Sequence, residues 1–294
     1  MNDILFQTHK ARYWTKADHG AVRCELCPRH CLIAKGTAGF CGARENNDGN
    51  LIASSYGRVS SLALDPIEKK PLYMFHPGKQ ILSIGGFGCN LRCLFCQNSD
   101  ISIEYDDARR TVKHLSPGDV LKLAIQTMSE DNIGVAYTYN EPLISYEFLY
   151  DCAKLVRSVG LKNVVVTNGY ICKEPLESLL PLIDAMNIDL KGFSEGFYLK
   201  VRGKLEAVLE TIALSQKSCH VEITTLVIPG ENDHEVEDIA KWISSVDPDI
   251  PLHLSRFFPR YKYSDRAPTP RETILNLRDT AKKYLNNVFT GNMV

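Results

Sequence analysis

The stretch Ile81-Leu82-Ser83-Ile84-Gly85-Gly86-Phe87-Gly88-Cys89-Asn90-Leu91-Arg92-Cys93-Leu94-Phe95-Cys96 joins a short apolar run to a glycine-rich turn and then to three cysteines at Cys-x3-Cys-x2-Cys spacing. The run reads as a buried strand. In parallel α/β folds the site forms at the carboxyl ends of the strands, so a cysteine loop directly after a strand marks where the chemistry belongs. Three thiolates can hold three irons of a four-iron cubane and leave the fourth without a protein ligand. An open metal position separates catalytic sites from closed structural ones.

Two plainer readings of Cys89, Cys93 and Cys96 fit less well. Disulfides would leave an odd cysteine and require an oxidising compartment, and Met1-Asn2-Asp3-Ile4-Leu5 does not look like a signal peptide. A structural zinc would need a fourth ligand nearby, and His76 and His114 are each more than a dozen residues away. The glycines lack the Lys-Ser/Thr of a phosphate loop and the third glycine of a dinucleotide fingerprint, so they read as room for the cysteine loop.

Downstream of residue 81, β-branched runs alternate with amphipathic segments, the pattern of parallel strands covered by helices. Strands are predicted at Ile81–Ile84, Ile133–Tyr139, Val164–Thr167, Met186–Leu190, Val221–Ile228 and Leu252–Phe258. Ser116-Pro117-Gly118-Asp119 supplies a helix cap ahead of Val120, Leu121, Ala124 and Met128, and Thr269-Pro270-Arg271-Glu272 repeats that start before Ile274. Six βα units are too few for a closed eight-stranded barrel. The expected fold is therefore α/β, a partial (β/α)6 barrel with a small cysteine-rich N-terminal segment. The predicted organisation is a metal-bearing segment over 1–75, the barrel over 76–265, and a C-terminal helix and strand over 266–294.

Polar residues stand at nearly every predicted strand end: Tyr139-Asn140-Glu141, Thr167-Asn168-Gly169, Asp189-Leu190-Lys191, then Glu222, Thr224 and Thr225, then His253, Ser255 and Arg256. Singly, each has a structural explanation, a turn for Asn168-Gly169 and a salt bridge for Asp189 with Lys191. Together they argue for a site.

The N-terminal segment carries Cys24-Glu25-Leu26-Cys27-Pro28-Arg29-His30-Cys31 and then Cys41. Four thiols match one closed metal site, either tetrahedral zinc or a fully ligated iron–sulfur cluster, and spacing alone does not choose. Cys152, Cys172 and Cys219 are scattered and read as buried small hydrophobes.

Composition narrows the class. Of 294 residues, 23% are charged with a net charge of -1, so no basic field calls for nucleic acid. No apolar run approaches a membrane span, and ten cysteines without an export signal imply reduced thiols, so a cytoplasmic enzyme without nucleic-acid or membrane partners is expected.

The Cys89–Cys96 spacing, with Phe95 before the last cysteine, resembles the signature of the radical S-adenosylmethionine (SAM) superfamily. Together with Cys24 to Arg44 and Val59-Ser60-Ser61-Leu62-Ala63-Leu64-Asp65-Pro66-Ile67-Glu68-Lys69-Lys70-Pro71-Leu72, it resembles the radical SAM proteins of the AmmeMemoRadiSam system, relatives of pyruvate formate-lyase activating enzyme. The resemblance implies a [4Fe-4S] cluster on Cys89, Cys93 and Cys96, with SAM as its chelating ligand. It also implies a flavodoxin- or ferredoxin-type reductant. Glu141 matches the glutamate of a Gly-Gly-Glu element that binds the methionine amino group, with Tyr139 and Asn140 in place of the glycines. Asp189 and Lys191 match an Asp-x-Lys element whose lysine approaches SAM. Val166 stands where the activases place a cation-binding aspartate, and Thr224 where they place a SAM-binding arginine. Asn140, Glu141, Thr167, Asn168, Asp189, Lys191 and His253 are thus the expected cofactor contacts, His253 on the adenosine side. Family members run further, into an additional cysteine pair, whereas this sequence stops at Val294. The expected activity is reductive cleavage of SAM and hydrogen abstraction from a glycyl-radical enzyme, a small molecule or a peptide. The competing reading is a non-catalytic iron–sulfur electron carrier.

Overall fold

The computed structural model describes residues 9–293; the sequence reading of Met1–Leu5 lies outside them. Eight strands form the main sheet: β1 (Ser61–Pro66), β2 (Gln80–Gly85), β3 (Asn132–Tyr137), β4 (Lys162–Thr167), β5 (Ala185–Asp189), β6 (His220–Val227), β7 (Leu252–Arg256) and β8 (Val288–Gly291). Each pairs with its sequence neighbour, in the order β8-β7-β6-β5-β4-β3-β2-β1. Pairing from β2 through β8 is parallel and β1 joins β2 antiparallel, so among the described residues the sheet curls without closing. Helices α1 (Pro117–Gln126), α2 (Tyr146–Ser158), α3 (Lys173–Leu179), α4 (Leu205–Ser215), α5 (Val236–Val246) and α6 (Arg271–Ala281) lie in the crossovers.

All six predicted strands are present, as β2 to β7, and the partial barrel is the fold. The sheet also extends beyond them. Ser61–Pro66, inside the segment read as N-terminal, is an edge strand, and a proline is tolerated at an edge where its missing N–H leaves no gap in the ladder. Val288–Gly291 adds a seventh parallel strand at the other edge. The Ser116 cap forms as a capping box with Asp119. Thr269 does not cap α6: its hydroxyl donates to the Val227 carbonyl at 2.7 Å, tying the α6 entry to the end of β6.

Strand alternation explains the core. Leu82, Ile84, Val135, Val165, Met186, Ile188 and Ile223 belong to the large outer core beneath the helices. Ile81, Ala136, Val164 and Ala185 form a separate cluster with Ile67 and Leu72, closing the barrel's lower interior. Above that layer the interior turns polar. Asn187 donates to the Pro71 carbonyl, and Glu222 accepts from the Tyr73 and Met74 N–H groups, so the segment before β2 plugs the barrel.

The N-terminal segment is two small sheets, one built of Trp14–Lys16, Val22–Cys24 and Leu32–Ile33 and the other of Glu45–Asn47 and Asn50–Ile52. Arg44, 1% exposed, pins it to α2 through an ion pair with Glu147 at 3.0 Å. Cys152 is buried, whereas Cys172 and Cys219 are only partly so. Among the described residues no helix is long and apolar enough to cross a membrane.

Candidate active site

A cavity of about 400 Å³ opens at the carboxyl ends of the strands. Cys89, Cys93 and Cys96 line it from the β2 loop, Asn140 and Glu141 follow β3, Thr167 and Asn168 end β4, and Asp189 and Lys191 end β5. Nine of the expected contacts therefore face one space.

His253 does not. It lies in the barrel interior, with Nε2 2.5 Å from Oε2 of Glu222 and its ring stacked on Phe289. Inward-facing residues recur every second position along a strand, so Ser255, two residues on, lines the cavity while His253 sits one layer below. The expected adenosine contact of His253 is corrected accordingly. Glu222, another residue read as a strand end, is near the start of β6 and is fully buried beneath the cavity.

Glu141 is held from three sides. Its Oε1 accepts from the Thr167 hydroxyl (2.6 Å) and the Leu143 N–H (3.0 Å), and Oε2 from the Asn168 N–H (2.8 Å). Burial pushes its carboxyl up to about 7 against those hydrogen bonds. Asn168 in turn donates to Oδ1 of Asn90 at 2.9 Å and lies 3.5 Å from Sγ of Cys89, linking the β4 end to the cysteine loop. Asn140 works on the backbone: it accepts from the Gly86 N–H and donates to the Gly88 carbonyl, fixing the glycine turn.

Lys191 and Asp189 form an ion pair at 2.9 Å inside the cavity. Burial alone would depress the ammonium, but the charge and hydrogen bond of Asp189 outweigh it and hold the lysine charged. The three thiols are pushed up by burial, Cys93 to about 12, so ionising them calls for a cation among them.

One further charged group stands at the cavity wall. Asp65 accepts from Lys70 (2.8 Å), Lys69 (3.3 Å) and the Tyr139 hydroxyl (2.7 Å), and both lysines and Tyr139 line the cavity. The signal was present in Asp65-Pro66-Ile67-Glu68-Lys69-Lys70, but nothing in the spacing tied it to β3. Tyr139 has φ 71°, the left-handed conformation that glycine adopts freely. The backbone bend is therefore kept without the glycine, braced by Asp65 on the ring and by Asn98, which donates to the Tyr139 carbonyl.

Residues 83–243 match the Radical SAM superfamily, a span that runs from within β2 into α5 and holds the three cysteines, Glu141 and Lys191. The chain belongs to the radical SAM superfamily. An uncharacterised protein of Methanocaldococcus jannaschii is 45% identical over 97% of this chain and 85% of its own. The pyruvate formate-lyase 1-activating enzyme of Escherichia coli K12 is 24% identical over 68% of this chain and 88% of its own, and that of Clostridium pasteurianum is 29% identical over 54% and 69%. The crystal structure of Streptococcus suis SuiB bound to S-adenosylmethionine shares the fold, with a TM-score of 0.54 and 14% identity over 69% of this chain and 48% of that one. This radical SAM protein thus has activating enzymes among its relatives. Its cavity presents to the strand ends a three-thiol donor set of the kind that suits a [4Fe-4S] cluster with one iron left open.

Proposed function

We propose that this protein cleaves SAM reductively at a [4Fe-4S] cluster held by Cys89, Cys93 and Cys96, and uses the resulting radical to take hydrogen from a substrate at the cavity mouth. The single observation that carries the reading is that the three thiols open onto the same cavity as an ion-paired lysine and a buried carboxylate. A cluster with one open iron, when reduced, supplies an electron to the sulfonium of bound SAM, giving methionine and a 5'-deoxyadenosyl radical.

The chain's own residues prepare that step. Glu141, oriented by Thr167, Asn168 and Leu143, presents a carboxylate to the methionine ammonium. Lys191, kept charged by Asp189, presents an ammonium to the carboxylate end. Asn168 and Asn140 set the cysteine loop, and Thr224, Leu226 and Ser255 line the opposite wall of the cavity. Relatives named as glycyl-radical enzyme and pyruvate formate-lyase activating enzymes support a glycyl-radical enzyme as the substrate, and the one-electron step calls for a protein reductant, which we take to be of flavodoxin or ferredoxin type.

Anaerobic reconstitution with iron and sulfide, followed by dithionite and SAM, should release 5'-deoxyadenosine and methionine. Cys93→Ser should abolish that release. A fully loaded wild-type protein that releases neither product refutes the reading, and SAM binding unaltered in Cys89→Ser would favour a four-ligand electron carrier instead.

A further inference from the structure

The N-terminal cysteines lie outside that cavity, yet the fold gathers them. Val22–Cys24 pairs with Leu32–Ile33, the Cys24 N–H donates to the Cys31 carbonyl, and Cys27 lies in the intervening turn. Cys24, Cys27, Cys31 and Cys41, all free thiols, line one small cavity of about 10 Å³ whose remaining wall includes Ile33 and Arg44.

Two observations bear on what fills it. At a zinc–sulfur distance of about 2.3 Å, four sulfurs crowd one ion and leave no space for a water-sized sphere. Here such a space exists, and among the described residues no three or more Cys, His, Asp or Glu side chains close on a single ion. The same is true of Cys89, Cys93 and Cys96, whose spacing suits a cubane. The second observation is Arg44. Its Nη2 donates to Glu147 and to the Arg12 carbonyl, but Nε and Nη1 are buried with no partner. Buried donors without acceptors are rare because each forfeits its hydration.

We propose that Cys24, Cys27, Cys31 and Cys41 ligate a second iron–sulfur cluster, and that Arg44 donates its unpaired N–H groups to the sulfurs of this anionic centre. With four protein thiolates no iron is left open, which makes the centre an electron carrier and not a SAM site.

Its place in the fold gives the carrier a destination. A Cβ on Gly88, the residue before Cys89, would stand 2.2 Å from the Cys41 carbonyl. Asn90, the residue after Cys89, lines the N-terminal cavity. Adding covalent lengths to the Gly88 contact puts the Cys41 and Cys89 sulfurs at most about 17 Å apart, with the clusters they would ligate closer still. The second cluster takes one electron from a ferredoxin- or flavodoxin-type donor and passes it to the cluster at Cys89, Cys93 and Cys96, with no bond or proton exchanged. This relay rests on the SAM reaction proposed above; the ligation does not.

The test is iron, sulfide and zinc content of the full chain carrying Cys89→Ser, Cys93→Ser and Cys96→Ser, reconstituted anaerobically with ferrous iron and sulfide. About four irons and four sulfides per chain, with an electron paramagnetic resonance signal on reduction, are expected against about eight of each in the wild type. No iron, or one zinc that iron and sulfide do not displace, overturns the proposal. Should the triple variant fail to fold, the wild-type count decides between about eight irons and about four. Arg44→Lys should shift the remaining signal to a lower reduction potential, and an unchanged potential removes Arg44 from the proposal. If the N-terminal site proves empty while the wild type still releases 5'-deoxyadenosine, the second cluster fails and the SAM reading stands.

Discussion

The carbonyl oxygen of Cys41 occupies the place where a side chain on Gly88 would begin, 2.2 Å from an ideal Cβ. Gly88 also has φ +84°, which an L side chain adopts only under strain. The N-terminal segment and the Cys89–Cys96 loop are thus packed backbone to backbone at Gly88, where the Cys41 carbonyl is the nearest atom. Gly88→Ala should lower stability by more than about 2 kcal/mol, since left-handed strain adds to a clash with a carbonyl that cannot rotate away. Thermal unfolding and iron content after reconstitution check it. A variant with wild-type melting and full iron loading would show that this contact is not tight.

Glu141 predicts the pH dependence of SAM binding. Its carboxyl, raised to about 7 by burial, is increasingly protonated below that value, and a neutral carboxyl pairs poorly with the methionine ammonium. Affinity of the reconstituted protein for SAM should therefore fall as pH drops below about 7, approaching about tenfold per pH unit. Glu141→Gln keeps an acceptor oxygen for Thr167 and Leu143 but has no charge to lose. Its SAM affinity should be weaker at high pH and flat across the range. Calorimetric titrations at several pH values separate the two, and equal slopes would count against Glu141 as the ammonium's partner.

Six of the seven parallel strands, the capping box at Ser116 and nine cavity-lining residues were legible in the sequence because each rests on local pattern: β-branched runs, cap chemistry, and polar residues where strands stop. What escaped it depends on register and on distant pairing. His253 and Ser255 are both polar, close to a strand end and on the same face of the strand, and only the packing that holds His253 against Glu222 and leaves Ser255 at the cavity separates them. The edge strand Ser61–Pro66 has no crossover helix to announce it, and its Asp65 meets Tyr139 across 74 positions of sequence. Tyr139 in a glycine conformation is invisible to composition, since its brace comes from residues far along the chain.

Lys70 at the cavity wall is 3% exposed and relies on Asp65. Burial lowers the lysine's affinity for its proton even with Asp65 beside it. Removing the carboxylate charge leaves an uncompensated buried cation, a change that costs about 3–5 kcal/mol where it has been measured in buried pairs. Asp65→Asn should therefore destabilise the protein by about that amount, and Lys70→Met in the same background should recover a large part of it. Denaturant unfolding of the two singles and the double gives the coupling. Additive losses would mean that the pair is not energetically linked.

Glu222 gives the barrel interior an acid-sensitive lock. Burial alone would raise its carboxyl, but hydrogen bonds from His220, His253 and the Met74 N–H outweigh it and bring it from 4.5 to about 2. A carboxyl that holds its proton less tightly folded than unfolded stabilises the fold wherever it is ionised in both states. The full contribution is therefore present above about pH 4.5 and is lost as pH falls toward 2. The shift corresponds to roughly 3 kcal/mol. Because the same carboxylate holds the N–H groups of Tyr73 and Met74, its protonation loosens the plug that closes the barrel from below. Glu222→Gln should be less stable than wild type at pH 7, and the difference should shrink as both are titrated through the acid range, because the variant has no proton to take up. Urea unfolding of the metal-free protein at about pH 7, 5 and 3 measures that difference, and one that stays constant across the three would show that Glu222 is not the group that titrates.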